Sequence, residues 1–103
     1  MTPRLLLLPV AALVLTSVLA ASATPEVKIE NLKFAPASLT VQRGDTVTWR
    51  NNDVVPHTAT AAGKFDSGSI APGKSVSKKM EQAGEFDYVC SFHPGMKARL
   101  IVK

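Results

Sequence analysis

The side chains best able to bind a metal ion fall in two short places of this sequence. The first is the run Cys90-Ser91-Phe92-His93-Pro94-Gly95-Met96, in which a thiol, an imidazole and a thioether follow one another at intervals of three residues. The second is His57, which follows Pro56. Both histidines and the single cysteine of the chain lie in these two places. A reversing loop can turn the side chains of Cys90, His93 and Met96 toward one point, where His57 can join them.

The chemistry of these four side chains favours copper. Two imidazoles and a thiolate in one plane, with a weak thioether on the axis, suit an ion that cycles between Cu(I) and Cu(II), because the sulfur ligands favour Cu(I) and imidazole serves both states. Zinc more typically occupies closed tetrahedral sites of cysteine and histidine, where methionine is a poor ligand. We therefore predict one copper ion held by His57, Cys90, His93 and Met96.

The rest of the chain reads as the short strands needed to position these ligands. From Glu26 onward, segments rich in strand-forming residues alternate with turn residues, and no stretch shows a sustained helical period. Short strands at this spacing predict an all-β, two-sheet sandwich. The seven predicted strands are Glu26–Phe34, Ser38–Gln42, Asp45–Arg50, His57–Ala61, Ser75–Met80, Gly84–Cys90 and Lys97–Val102.

Alternation along two of these strands predicts which side chains face the core. Side chains two residues apart lie on the same face of a strand. Val47 and Trp49 therefore share one face, and Phe86, Tyr88 and Cys90 share another. We expect Cys90 to end its strand pointing inward.

The N-terminus has the pattern of an export signal. Arg4 precedes an apolar run that ends in Ala21-Ser22-Ala23, a small-x-small cleavage pattern, so residues 1–23 are predicted to be a signal peptide cut before Thr24. The alternative is a retained membrane anchor, because the run approaches the roughly 18 residues that a spanning helix needs. Pro9 and the cleavage pattern favour removal, without stable membrane insertion afterwards.

Residues 24–103 are then one small domain, predicted to be periplasmic and monomeric. A single cysteine allows no internal disulfide, although an exported protein could use one. Without Arg4, the chain keeps 11 basic and 8 acidic residues, a net charge of +3. The basic residues are scattered, which argues against nucleic-acid binding and at most favours acidic partners.

The motif around the cysteine resembles that of a known family. Tyr88-Val-Cys90-Ser-Phe-His93-Pro-Gly-Met96, with His57 upstream, is similar to the cupredoxin signature, and its short ligand loop resembles amicyanins more than plastocyanins. The resemblance extends to Thr48-Trp49-Arg50-Asn51 and to Ala83-Gly84-Glu85-Phe86, and thus covers most of Glu26 to Lys103. It implies a cupredoxin-like Greek-key β-sandwich with a type 1 blue-copper site.

The resemblance also implies a role for each ligand. His57 would be the buried histidine, Cys90 the thiolate, His93 the partly exposed histidine through which electrons leave, and Met96 the axial ligand. Asn51 would tie the histidine loop to Ser91.

Two positions depart from the family pattern. Phe92 stands where both amicyanin and plastocyanin have proline, which leaves the reduction potential open. Gly95 stands where amicyanin has phenylalanine, which trims the apolar surface around His93 and leaves the partner open.

These observations predict an electron carrier that is not an enzyme. Four protein ligands leave no open position for a substrate. We expect redox protein partners, such as a dehydrogenase, a cytochrome or an oxidase, to dock near His93. The alternative is a periplasmic module that binds and delivers copper, but the chain has no Met-rich or His-rich tract to favour it.

Overall fold

The described part of the chain, residues 2–4, 9 and 24–103 of a computed structural model, folds into two β-sheets. The described residues form no helix, so they contain no helix that could span a membrane. The predicted signal peptide lies largely outside the described residues. The strands are β1 (Glu26–Glu30), β2 (Lys33–Ala35), β3 (Ser38–Val41), β4 (Thr46–Asn51), β5 (Thr60–Ala61), β6 (Phe65–Asp66), β7 (Ser75–Lys79), β8 (Gly84–Val89) and β9 (Lys97–Val102).

The two sheets form the predicted all-β sandwich. One sheet has the strand order β2-β1-β4-β7, and the other has the order β3-β9-β8-β5-β6. Two pairs, β1 with β4 and β3 with β9, are parallel, and the remaining pairs are antiparallel. Strand β4 leads into the loop that carries His57, and the β8–β9 connection carries Cys90, His93 and Met96. Each sheet therefore brings part of the candidate site to the same end of the sandwich.

The first predicted strand, Glu26–Phe34, is wrong as a single element. It is a hairpin of β1 and β2, and its turn residues Asn31 and Leu32 have φ angles of 53° and 59°. Two positive φ angles in a two-residue loop are characteristic of a type I′ turn, which matches the twist of a hairpin. Leucine rarely adopts such a backbone. Asp53 stabilises the turn, because its carboxylate accepts the N–H groups of Asn31 at 2.7 Å and Leu32 at 3.0 Å.

The predicted strand His57–Ala61 is also shorter than expected. Only Thr60–Ala61 forms a strand, and His57 makes a separate bridge to Ile70. Strand β6, Phe65–Asp66, was not predicted; it pairs with β5 as a short hairpin. Such two-residue strands carry too few residues to show an alternation in the sequence.

The core lies between the sheets and confirms the predicted inward faces. Val47, Trp49 and Cys90 are completely buried and Tyr88 is 2% exposed, while Phe86 is partly buried against the same core. The Trp49 indole N–H donates to the Tyr88 hydroxyl at 3.3 Å. Burial raises the pKa of Tyr88 to about 12, against the smaller, opposing effect of that hydrogen bond. The phenol therefore remains neutral at physiological pH.

Candidate metal centre

His57 is fixed in the loop between β4 and β5 by backbone pairing. Its N–H donates to the Ile70 carbonyl at 3.1 Å, and the Ile70 N–H donates back to the His57 carbonyl at 2.7 Å. This bridge holds the histidine backbone against a segment 13 residues further along the chain, and the side chain is completely buried. The ring therefore has a defined position and no access to bulk water.

Asp53 fixes the orientation of the His57 ring. One carboxylate oxygen of Asp53 lies 2.8 Å from Nε2 of His57. An anionic oxygen accepts hydrogen bonds, so Nε2 carries the proton and Nδ1 presents a lone pair. Burial would raise the pKa of Asp53, but the N–H of Leu32, the His57 ring and the N–H of Asn31 together lower it below its usual value. The carboxylate is therefore charged at neutral pH and selects the tautomer that a metal needs.

The other three candidate ligands lie in a compact loop between β8 and β9. Cys90 follows β8 directly, and its N–H donates to the Met96 carbonyl at 3.1 Å. Within the loop, the His93 N–H donates to the Cys90 carbonyl at 3.2 Å and the Met96 N–H donates to the His93 carbonyl at 2.8 Å. Gly95 does not use the positive φ that glycine permits. These turn hydrogen bonds, rather than glycine freedom, fold the loop so that the backbones of Cys90, His93 and Met96 lie close together.

The ligand atoms of His57, Cys90 and His93 converge on one point. Nδ1 of His57 lies 3.6 Å and Nδ1 of His93 lies 3.7 Å from the Cys90 sulfur, and the three ligand atoms lie within 4.8 Å of one another. Bonds of about 2.3 Å to sulfur and about 2.0 Å to nitrogen, as in zinc sites, place each nitrogen about 3.7 Å from the sulfur in a trigonal plane. The spacing therefore fits a metal bound between them.

Met96 completes the ligand set predicted from the sequence. It is buried, with 6% of its surface exposed, and it ends the loop that begins at Cys90. His57, Cys90, His93 and Met96 are arranged as a type 1 copper site. The structure thus brings together the ligand atoms of His57, Cys90 and His93, and it places Met96, buried, at the end of the same loop.

Comparison with known proteins identifies the family. Residues 5–102 match the family model of the Cupredoxin-like domain. The chain belongs to the cupredoxin family. Amicyanin-alpha of Methylorubrum extorquens is 30% identical over 94 residues, which cover 82% of this chain and 76% of that protein. The chloroplastic plastocyanin of Tetradesmus obliquus is 38% identical over 86 residues, covering 70% of this chain but only 59% of that protein.

Solved amicyanin structures confirm the fold class. An oxidised proline-to-alanine mutant of amicyanin superposes with a TM-score of 0.73 at 30% identity, covering 81% of this chain and 85% of that one. A Cu(I) structure of a methionine-to-alanine mutant gives a TM-score of 0.72 at 29% identity, covering 78% and 82%. Together with the ligand arrangement, this family membership confirms copper as the cofactor.

Thr58 links the two ligand segments of this cupredoxin. Its backbone N–H donates to the Cys90 sulfur at 3.3 Å, and its hydroxyl oxygen accepts the Ser91 N–H at 2.8 Å. The hydroxyl groups of Thr58 and Ser91 are also 2.6 Å apart. A hydrogen bond to a ligating sulfur tunes a copper site, and the clamp to Ser91 holds that bond in place.

The predicted contact between Asn51 and Ser91 is therefore wrong. The Asn51 side-chain amide donates instead to the carbonyls of Val55 at 2.8 Å and Ile70 at 2.9 Å, and its oxygen accepts the Asp53 N–H at 2.9 Å. Asn51 is completely buried, so it must satisfy these groups locally. It braces the His57 loop from within, whereas Thr58 makes the contact to the cysteine loop.

Proposed function

We propose that this cupredoxin is a one-electron carrier in which His57, Cys90, His93 and Met96 hold the copper ion. The observation that supports this most directly is the convergence of both Nδ1 atoms on the Cys90 sulfur, at 3.6 and 3.7 Å, with the far side of the His57 ring held by Asp53. Bound there, copper supplies a couple between Cu(I) and Cu(II), whose potential depends on the axial ligand and the surroundings of the thiolate sulfur.

The surrounding residues restrain the ligands in the way an electron carrier needs. His57 and Cys90 are completely buried and Met96 nearly so, which excludes water from most of the site. The Asp53 carboxylate accepts a hydrogen bond from the His57 ring, and the Thr58 N–H donates one to the thiolate, so both ligands are held independently of the metal. Ligands held in this way move little when the charge on the ion changes, so the barrier to electron exchange stays low.

His93 is the ligand best placed to pass electrons to a partner. It is the one partly exposed member of the ligand set. Phe92, which precedes it in the sequence, is 53% exposed, and Val54, on the loop that carries His57, is 91% exposed. Phe92 thus supplies apolar surface next to His93 that the glycine at position 95 does not. We expect redox protein partners to dock on this end of the molecule, with His93 at the contact.

The proposed function involves no substrate turnover. The four ligands account for the coordination that a type 1 copper ion takes, which leaves no site for a substrate. The fold does occur within an enzyme, since a copper-containing nitrite reductase of Thermus scotoductus matches at 25% identity with a TM-score of 0.73. That match covers 79% of this chain but only 22% of the reductase.

We also infer that the protein is exported to the periplasm and works there as a monomer. The N-terminal sequence supports export, with a basic residue, an apolar run and a cleavage pattern ending at Ala23. Expression of the full chain tests this inference. We expect a periplasmic product that begins at Thr24 and elutes at the size of one copy, whereas a full-length product in the membrane fraction would contradict cleavage.

Adding Cu(II) to the purified protein tests the copper site. We expect an intense visible thiolate-to-copper band and a reversible one-electron wave in voltammetry. Met96→Leu should shift the potential, while Met80→Leu should leave it unchanged. Met80 is similarly buried, at 5% exposure, but its backbone pairs with Gly44 and Asp45 before β4, at the end of the sandwich away from the ligand loop. Both exchanges nearly conserve volume, so each should cost less than about 1.5 kcal/mol of stability. A colourless Cu(II) protein, or equal effects of the two variants, would contradict the proposed site.

Repeated redox cycling distinguishes an electron carrier from a copper-delivery module. An electron carrier should retain its copper through many cycles in the presence of a Cu(I) chelator. Rapid loss of Cu(I) to the chelator, with the visible band intact before reduction, would favour copper delivery instead.

A further inference from the structure

A cleft opens between the two sheets along one side of the sandwich, away from the ligand loop. Its volume is about 320 Å³, and it lies between β6 and β7, the edge strands of their respective sheets. Neither strand has a neighbour on its outer side within the described chain. We call it the lysine cleft, and its lining residues used below are Lys64, Phe65, Lys78, Lys79, Glu81 and Phe86.

The rim of the lysine cleft is basic on both sides. Lys64 stands on the turn before β6, and Lys78 and Lys79 stand on β7. None of the three makes an ion pair with another residue of the described chain. Glu81 is the only acidic residue of the lining, so the cleft carries a net charge of +2. Unpaired positive charge facing across an open groove attracts anionic groups.

The position of Lys78 is unusual for a charged residue. Lys78 pairs across the sheet with Val47, and its neighbour Val76 pairs with Trp49. Cross-strand partners lie on the same face of a sheet, and both Val47 and Trp49 are completely buried, so Lys78 is directed into the space between the sheets. An inward charge on an edge strand protects it against pairing with another sheet. That role accounts for Lys78 but not for Lys64 on the opposite side of the cleft.

The floor of the lysine cleft is aromatic and continues into the core. Phe65 and Phe86 line the cleft, with ring centroids 6.2 Å apart. Phe65 also lies 5.6 Å from Trp49 and 5.8 Å from Tyr88. Tyr88 shares its inward face with Cys90, two residues further along the chain. The floor of the cleft is thus joined through packed rings to the strand that carries the thiolate.

We propose that the lysine cleft docks an acidic segment of a partner protein. Carboxylates of the segment meet Lys64 and Lys78 across the cleft and Lys79 on its outer rim, and an apolar side chain between them rests on Phe65 and Phe86. Charge and apolar surface are both needed, because lysines alone would hold an anion only weakly in water. This docking surface is separate from the one around His93 and does not depend on copper.

Titration of the 15N-labelled Cu(I) protein with the peptide Glu-Asp-Phe-Asp-Glu tests the proposal. We expect amide shifts confined to residues lining the lysine cleft, together with a shift of the indole N–H of Trp49, the single tryptophan of the chain. Raising NaCl from about 20 to about 200 mM should weaken binding about tenfold, because the charges are exposed to screening. Shifts spread over lysines elsewhere, or confined to the His93 loop, would overturn the proposal.

Charge reversal provides the matched control. Lys64→Glu combined with Lys79→Glu, both exposed positions, should weaken binding about tenfold. Lys28→Glu combined with Lys33→Glu, exposed positions on β1 and on the edge strand β2 at the far side of the sheet from β7, should change binding less than about twofold. Equal losses in the two double variants would overturn the proposal. So would equal binding of the neutral peptide Gln-Asn-Phe-Asn-Gln, or binding only to vesicles of anionic lipid.

Discussion

Replacing Thr58 by valine removes the hydroxyl group that joins the two ligand segments. In the structure this oxygen accepts the Ser91 N–H at 2.8 Å and lies 2.6 Å from the Ser91 hydroxyl and 3.0 Å from the Thr60 hydroxyl. Valine has nearly the same shape but no oxygen. The Thr58 backbone N–H still donates to the Cys90 sulfur in this variant, so the test isolates the clamp.

The expected cost follows from the burial of Thr58, which is only 3% exposed. Without the Thr58 oxygen, the Ser91 N–H and the hydroxyl groups of Ser91 and Thr60 each lose a hydrogen-bond partner. We expect this to lower the free energy of unfolding by about 1–3 kcal/mol, because water replaces the lost oxygen poorly at such a site. For a domain of this size, that corresponds to a fall in Tm of about 5–20 °C. Thr58→Ser retains the oxygen and should recover most of the loss.

Thermal unfolding of the copper-free proteins measures this effect without any contribution from the metal. In the copper-loaded proteins, we expect Thr58→Val to shift the reduction potential, since the segment after the thiolate is less restrained, and Thr58→Ser to stay close to the parent. The reasoning is refuted if Thr58→Val unfolds at the parent Tm, or if both variants are destabilised equally.

The remaining predictions concern the half-buried Asp53 and the buried Tyr88. Asp53→Asn should lower the free energy of unfolding of the copper-free protein by about 2 kcal/mol in urea, because the charged acceptor of three hydrogen bonds is lost; an unchanged midpoint would contradict this role. Tyr88 is the only tyrosine, so tyrosinate absorbance should appear at about pH 12 in the folded protein. Because tyrosine ionises near pH 10 when unfolded, stability should be complete below about pH 10 and fall by about 1.4 kcal/mol per pH unit up to about pH 12. Tyr88→Phe should lose that part of the alkaline slope, and an absorbance transition at pH 10 in folded protein would contradict the prediction.

The ligand set could be predicted from the sequence because its members are rare residue types at short spacing. Cys90, His93 and Met96 lie within one loop, so their convergence depends little on the rest of the fold. The alternation around Trp49 and Tyr88 likewise predicts which faces are buried, since burial on one side of a strand leaves a period of two residues.

The supporting hydrogen bonds could not be predicted in the same way. Asp53 contacts Asn31 and Leu32, which precede it by more than 20 residues and belong to a hairpin that the sequence pattern does not reveal. Asn-Leu lacks the glycine that usually marks a type I′ turn. An aspartate after two asparagines reads as an ordinary loop residue until the two loops are placed side by side. The one available signal is the spacing of four residues between Asp53 and His57.

The expected contact between Asn51 and Ser91 shows how small differences in position decide such bonds. Asn51 ends β4 with its side chain completely buried, and the acceptors that its amide reaches there are the carbonyls of Val55, in its own loop, and of Ile70, in the segment that pairs with His57. Thr58 lies directly after the ligand His57, on the side where the backbone meets the cysteine loop. A short hydroxyl group is enough to span that distance, so the link to Ser91 comes from Thr58.

The two histidines are restrained very differently, so substitutions near one histidine affect stability, whereas substitutions near the other affect the exposed surface. His57 is held by its bridge to Ile70 and by Asp53, which itself anchors the β1–β2 turn. His93 is held by turn hydrogen bonds within its own loop and lies beside exposed Phe92. Substitutions around His57 therefore act on the packed interior of both sheets, whereas substitutions beside His93 alter surface that a partner can touch. Substitution of Phe92 would thus change the exposed surface beside His93 while the support of the buried ligands stays the same.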